Sequence, residues 1–178
     1  DIDGMYNSIK SFLADYNTLI SNMSTLYNAD SSKGYEPLTD EEKDALTDTE
    51  VEKWETKIKD SLLRRDGTLD SIMNVMKNSM AKSYAIGGKN YALSSFGIKT
   101  SGYFSIDSEQ QGVYHIDGDS EDATSSGNTD KLRAALASDP DTTIQFFQNM
   151  ATDLYNSLTK KMQSSTLSSA YTIYNDKE

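Results

Sequence analysis

The sequence predicts a mainly α protein, an elongated helical bundle with coiled-coil-like long helices at both ends of the chain and one small β-hairpin. Three observations carry that prediction. Apolar residues near each end recur at alternating steps of three and four, and the middle of the chain holds two complete helix-start signatures. After residue 87, aromatic and β-branched residues crowd together with turn formers between them.

The first long helix spans Ile2 to Leu26, with Ile2, Met5, Ile9, Phe12, Tyr16, Leu19, Met23 and Leu26 forming an unbroken seam. Leu13, Ile20 and Tyr27 add a second stripe, so this apolar face is wider than one partner helix requires. Gly34 and Pro37 fall in an aperiodic stretch that ends the helix near Asn28. Thr39-x-x-Glu42 and Thr47-x-x-Glu50 are capping boxes, in which hydroxyl and carboxylate satisfy the amides a helix start leaves open. The first opens a helix of about two turns. The second opens a longer one with Val51, Trp54, Ile58 and Leu62 as its buried stripe.

Asp66-Gly67-Thr68 interrupts that pattern and caps a third substantial helix carrying Leu69, Ile72, Met76 and Met80, with Gly87-Gly88 at or beyond its end. The single hairpin is expected near 102–116, with strands at Gly102 to Ile106 and Gly112 to Ile116. Residues 117–128 are acidic and rich in Ser and Gly, and read as a mobile loop. Thr129 or Asp130 then caps a short helix with Leu132 and Leu136, and Asp139-Pro140 ends it and starts the next. Ile144, Phe147, Ala151, Leu154 and Leu158 repeat the opening alternation, so the two end seams are expected to pack on each other as an internal bundle.

A chain of 178 residues with 36% hydrophobic side chains encloses one core, hence a single domain over 1–178. The net charge of -11 opposes binding to nucleic acid or to an anionic membrane surface, both of which need a cationic face. No stretch reaches the length of apolar sequence that a membrane helix needs. Cysteine is absent, which removes disulfides, thiol catalysis and sulfur metal sites. The chain opens on Asp1 with no secretory signal, as expected of a piece whose natural start lies elsewhere.

Catalytic, cofactor and metal sites are not expected. His115 is the one histidine, placed in a predicted strand where a surface role is the simpler reading. Asp117-x-Asp119-x-Glu121 has the alternating oxygens of a calcium loop, but Asp122 stands where the turn needs glycine and Asn128 where a bidentate carboxylate belongs. Gly87-Gly88-Lys89 lacks the rest of a phosphate loop and is a turn. Tyr16, Tyr27 and Tyr171 fall on or beside helical stripes, whereas Tyr103 and Tyr114 in the expected hairpin are candidates for a partner surface.

Five phrases occur in order: Ala14-Asp15-Tyr16-Asn17-Thr18-Leu19-Ile20, Tyr35 to Glu42, Leu62-Leu63-Arg64-Arg65-Asp66-Gly67-Thr68-Leu69, Phe96-Gly97-Ile98-Lys99-Thr100 and Leu132 to Pro140. Together they resemble the C-terminal half of the bacterial flagellar filament cap family, hook-associated protein 2. The resemblance runs from about Met5 to Tyr171 and departs most at Asp107 to Asp130, where Gly118 to Asn128 intervenes. It implies the helical leg region of a non-enzymatic, cofactor-free structural protein. It also implies self-association into a ring, partners in flagellin and the hook-filament junction proteins, and an extracellular place at the flagellum tip. The alternatives are a tip adhesin that presents Tyr103 and Tyr114 to host glycans or mucin, and a free-standing coiled-coil scaffold.

Overall fold

The computed structural model describes residues 1–101 and 112–163, and within them the chain is mainly helical. Helix α1 (Ile2–Tyr27) is 26 residues long, about 39 Å, and the Asp1 carboxylate caps it by accepting from the Asp3 amide at 3.1 Å. Helices α2 (Asp40–Asp44) and α3 (Asp48–Asp60) start at the two predicted capping boxes. In each box the glutamate accepts from the threonine amide, at 2.8 Å for Glu42 and 2.9 Å for Glu50, while the threonine hydroxyl accepts from the glutamate amide. Asp66 caps α4 (Gly67–Ala81) through the Leu69 amide at 2.7 Å. Asp130 starts α5 (Lys131–Ser138), and Asp139 caps α6 (Pro140–Met162) with Pro140 in its first turn.

The β content differs from expectation. Two two-stranded antiparallel sheets are present among the described residues instead of one hairpin. The first joins β1 (Tyr84–Ile86) to β2 (Lys89–Tyr91), and Gly87 and Gly88, at φ 57° and 78°, form the two-residue turn between them. Positive φ at both central residues is the hairpin turn that glycine makes at least steric cost, so this pair turns a hairpin and α4 ends six residues earlier. The second sheet pairs β3 (Ile98–Thr100) with β4 (Tyr114–Ile116). The strand expected at 112–116 therefore exists, and its partner among the described residues is β3. The strand expected at 102–106 lies outside the described residues.

The core converges on α6. Phe146 and Met150 are fully buried there, with Met76 and Met80 of α4 and Leu132 and Leu136 of α5 at no more than 1% exposure. Phe146 meets Phe96 at 4.9 Å, Phe147 at 5.1 Å and Tyr84 at 5.7 Å between ring centroids, mostly in tilted or edge-on geometries that suit aromatic quadrupoles. The close helix pairs are α4 with α6, α1 with α5, α5 with α6, and α1 with α4. The two end helices are thus joined chiefly through α4 and α5, which corrects the expectation that their seams clasp directly. The α3 stripe is corrected as well: α3 has no buried residue, and Leu62 beyond it is 72% exposed.

Residues 117–128, expected as a mobile solvated loop, are a hydrogen-bonded knot. The Gly118 amide donates to the Ser125 carbonyl at 2.9 Å, and the Ser125 hydroxyl donates to the Ile116 carbonyl at 2.8 Å. Asp117, Asp119 and Ser125 are buried. Gly118 has φ 81°, and a Cβ there would come within 2.6 Å of the Asp130 amide nitrogen, so only glycine fits.

One buried polar atom is left over in the described core: the Tyr16 hydroxyl has no hydrogen-bond partner. Burial pushes its phenol well above the usual tyrosine range. Replacing Tyr16 by Phe removes an unsatisfied group without changing the ring, so the melting temperature should rise, by the equivalent of about 1 kcal/mol. A fall in thermal scans would show that the hydroxyl is satisfied in solution.

Candidate assembly interface

The seam predicted on α1 splits into two lines. Ile9 and Tyr16 are buried, whereas Met5, Phe12 and Met23 are half-buried and Leu19 and Leu26 are 48% and 38% exposed. The helix turns a different line inward, namely Tyr6, Ile9, Leu13, Tyr16 and Ile20. Met5, Phe12, Leu19 and Leu26, each seven residues from the next, form a heptad line left at the surface.

Helix α6 behaves similarly. Thr143, Phe146, Met150 and Leu154 face the core and Phe147 is 9% exposed, while Ile144 and Leu158 are half-buried. The structure brings Met5, Ile9 and Phe12 together with Ile144 and Phe147 across an open groove of about 520 Å³, with Ala151 also on its wall. Leu19, Met23 and Leu26 continue along α1 beyond it, and Leu154 and Leu158 continue along α6. An open groove with apolar walls and a heptad line beside it has the geometry on which one helix packs against another.

Tyr103 lies outside the described residues. Tyr114 is half-buried on β4, its ring 5.8 Å from that of Tyr16, and burial raises its phenol pKa. The Asn17 side chain grips its backbone: the Tyr114 amide donates to Asn17 Oδ1 and Asn17 Nδ2 donates to the Tyr114 carbonyl, both at 2.8 Å. Tyr114 is therefore spent on packing against α1. Periodicity could not show this contact, because it depends on an amide ninety-seven residues away.

The knot's acids are engaged individually. Lys10 Nζ lies 2.8 Å from Asp119 and 2.6 Å from Glu121, and these hydrogen bonds raise the lysine to about 12. Asp117 is held below the usual carboxylate range chiefly by Lys99, 2.9 Å away, and also accepts from Asn128. His115 Nδ1 and Asp122 Oδ2 are 2.5 Å apart, and Thr124 donates to Asp122 through both amide and hydroxyl. Burial alone would raise Asp122, but Thr124 and His115 bring it down to about 2. The carboxylates of the calcium-like alternation thus serve as anchors for α1 and β3.

With that geometry in place, similarity to known proteins becomes decisive. The whole chain, residues 1–178, matches the family described as Flagellar hook-associated protein 2 C-terminus. The chain belongs to this family. It is 28% identical over 163 residues to Flagellar hook-associated protein 2 of Halalkalibacterium halodurans, an alignment covering 92% of this chain. The chain spans 28% of that relative's length. No solved structure matches. Membership in the hook-associated protein 2 family makes this a flagellar, structural sequence, and it agrees with a fold built of helices.

Two outcomes follow from this geometry. In the isolated chain, Leu13→Ala should cost about 2 to 5 kcal/mol in urea unfolding, whereas Leu19→Ala should stay within about 0.5 kcal/mol; the reverse order would mean α1 docks by its other line. Because the Asp122 carboxyl is depressed on folding, its contribution is present above the unfolded value of about 4 and lost as pH falls from there through about 2. Hydrogen exchange should accordingly show the Gly118 and Ser125 amides opening over that window, and in Asp122→Asn they should be open already at about pH 5.

Proposed function

We propose that this chain is the helical leg region of a flagellar filament cap subunit, which oligomerises at the filament tip outside the cell and promotes flagellin assembly. The observation that carries this reading is the surface heptad line Met5, Phe12, Leu19 and Leu26 beside the groove walled by Ile144, Phe147 and Ala151. In a soluble monomer such a line is a liability, and in an assembling subunit it is a seat. That seat has the length and periodicity to take one further helix. Met5 and Phe12 are already half-buried and Leu19 and Leu26 are 48% and 38% exposed, so covering what remains of each contributes about 1 kcal/mol.

The work is mechanical. A long helix fixed along its length by α4, α5 and the 117–128 knot carries displacement from one end of the leg to the other without local melting. The capped arm of α2 and α3 and the acidic surface then face neighbours in the cap, flagellin, or the hook-filament junction proteins. The adhesive alternative is weakened, since Tyr114 packs inward.

In the full polypeptide, Phe12→Asp with Leu19→Asp should abolish both oligomers in light scattering and swarming of a strain carrying only that variant. The same pair placed in the isolated chain should leave its helical circular dichroism signal in place. Wild-type swarming by the variant strain would overturn the assignment of this face.

A further inference from the structure

We propose that residues 29–65 form a rigid lever hinged at Tyr27 and Arg65, so that the arm carrying α2 and α3 takes a second angle to the body once that clasp opens. The device belongs to this chain alone and does not depend on what the protein assembles with.

The arm is braced within itself. Lys43 of α2 lies 2.7 Å from Glu55 of α3, and Lys57 lies 3.4 Å from Asp30 in the segment that leads out from the body. Trp54 Nε1 donates to the Glu36 carbonyl at 2.8 Å, and its ring meets that of Tyr35 edge-on with centroids 4.8 Å apart. At the base, Arg64 Nη1 donates to the Ala29 carbonyl at 2.5 Å and ties the outgoing and returning segments together. An arm cross-linked in this way moves as a unit.

Its attachment to the body is slight by comparison. Helices α2 and α3 hold no buried residue, and neither is among the close helix pairs that build the core. Few buried contacts are the mark of a segment that opens without global unfolding. The junction is crossed by a hydrogen bond from the Arg65 amide to the Tyr27 carbonyl at 3.0 Å. The Arg65 guanidinium adds a cation-ring contact, 5.1 Å from the Tyr27 ring centroid. An open cleft of about 380 Å³, lined by Thr25 and Leu26 of α1 and by Lys57 and Asp60 of α3, leaves the arm room to turn.

Helix caps fix the chain on either side of the hinge. Asn28 closes α1, its amide donating to the Ser24 carbonyl at 2.9 Å, and Asp66 caps α4. The change of direction therefore falls on Arg65, the one non-glycine residue with positive φ among the described residues, at 54°. A residue with a side chain keeps that backbone only where contacts impose it, and here the contacts are those to Tyr27. When they open, residue 65 relaxes to negative φ, and a rotation at one element-terminal residue redirects everything beyond it. The arm thus has two discrete angles, and the Phe146 core is untouched by the change.

The absence of cysteine from 1–178 allows spin labels to be placed at chosen sites. In the full polypeptide, with any cysteine outside 1–178 changed to serine and the labelled protein diluted in unlabelled protein, Glu52→Cys on the arm and Asn78→Cys on α4 report the angle. Both positions are exposed. The otherwise unchanged chain should give one narrow distance. Arg65→Ala, which keeps the strained backbone and removes the guanidinium, should move most of the population to a second distance. Arg65→Gly, for which positive φ costs little, should keep the original distance as its main peak. Labels at Glu41→Cys and Glu52→Cys, both within the arm, should give one distribution in every variant. An unchanged arm-to-body distance in Arg65→Ala would overturn the hinge, and so would broadening within the arm, which is melting rather than swinging. A shift in Arg65→Gly as large as that in Arg65→Ala would overturn backbone strain as its driver.

Discussion

The burial of Phe146 is the contact on which the rest of the structure depends. It holds α6 at the centre of the described core, where α4, α5 and the β1-β2 hairpin all come to rest, with Phe96 and Phe147 completing the aromatic cluster. Three-residue strands have no independent stability, and a two-stranded ribbon of that length persists only when packed on something larger. The β3-β4 pair rests on residues 93–96 and on α1, whereas the β1-β2 hairpin persists because α6 gives it a surface. Asp153 on the same helix strengthens that attachment through Lys82, whose ammonium lies 2.8 Å away and, with neighbouring hydroxyls, offsets the cost of burying the carboxylate.

Polar contacts then decide how α1 lies on this core. The apolar face of α1 covers nearly half of its circumference, wider than one contact line, so hydrophobic burial alone would tolerate more than one rotation about its axis. Lys10 to the knot, Asn17 to β4, and Arg133 of α5 to Asp3 and the Tyr6 ring are directional and fix one rotation. Directional contacts choose among packings that area cannot distinguish. The consequence is functional: the chosen rotation turns Leu13 and Ile20 inward and leaves the Leu19 and Leu26 line outside.

Much of this was legible in the sequence. Helix starts were readable because a cap is a local device: Thr39, Thr47, Asp66, Asp130 and Asp139 each bond an amide within three residues. The apolar periodicity located α1 and α6 for the same reason. What periodicity cannot give is which of two adjacent apolar lines meets the core, since that depends on partners a hundred residues away. The β1-β2 hairpin had a signal in Gly87-Gly88 flanked by Tyr84 and Tyr91, but a double glycine ends helices as readily as it turns strands. The 117–128 knot looked solvated because its composition is that of a loop. Its order comes from backbone and hydroxyl bonds inside it, such as Gly118 to Ser125, together with Lys10 and Lys99, which composition within the segment does not contain.

The grip of Asn17 on Tyr114 also bears on how two copies of this chain can meet. A side-chain amide offers one donor and one acceptor in the spacing of a peptide group, so it impersonates an adjoining strand without extending as one. The outer rim of β4 is thereby closed to backbone pairing from another molecule at that position, the route by which small exposed ribbons nucleate fibrous precipitates. One asparagine in a long helix thus steers contact between copies away from promiscuous main-chain zippering.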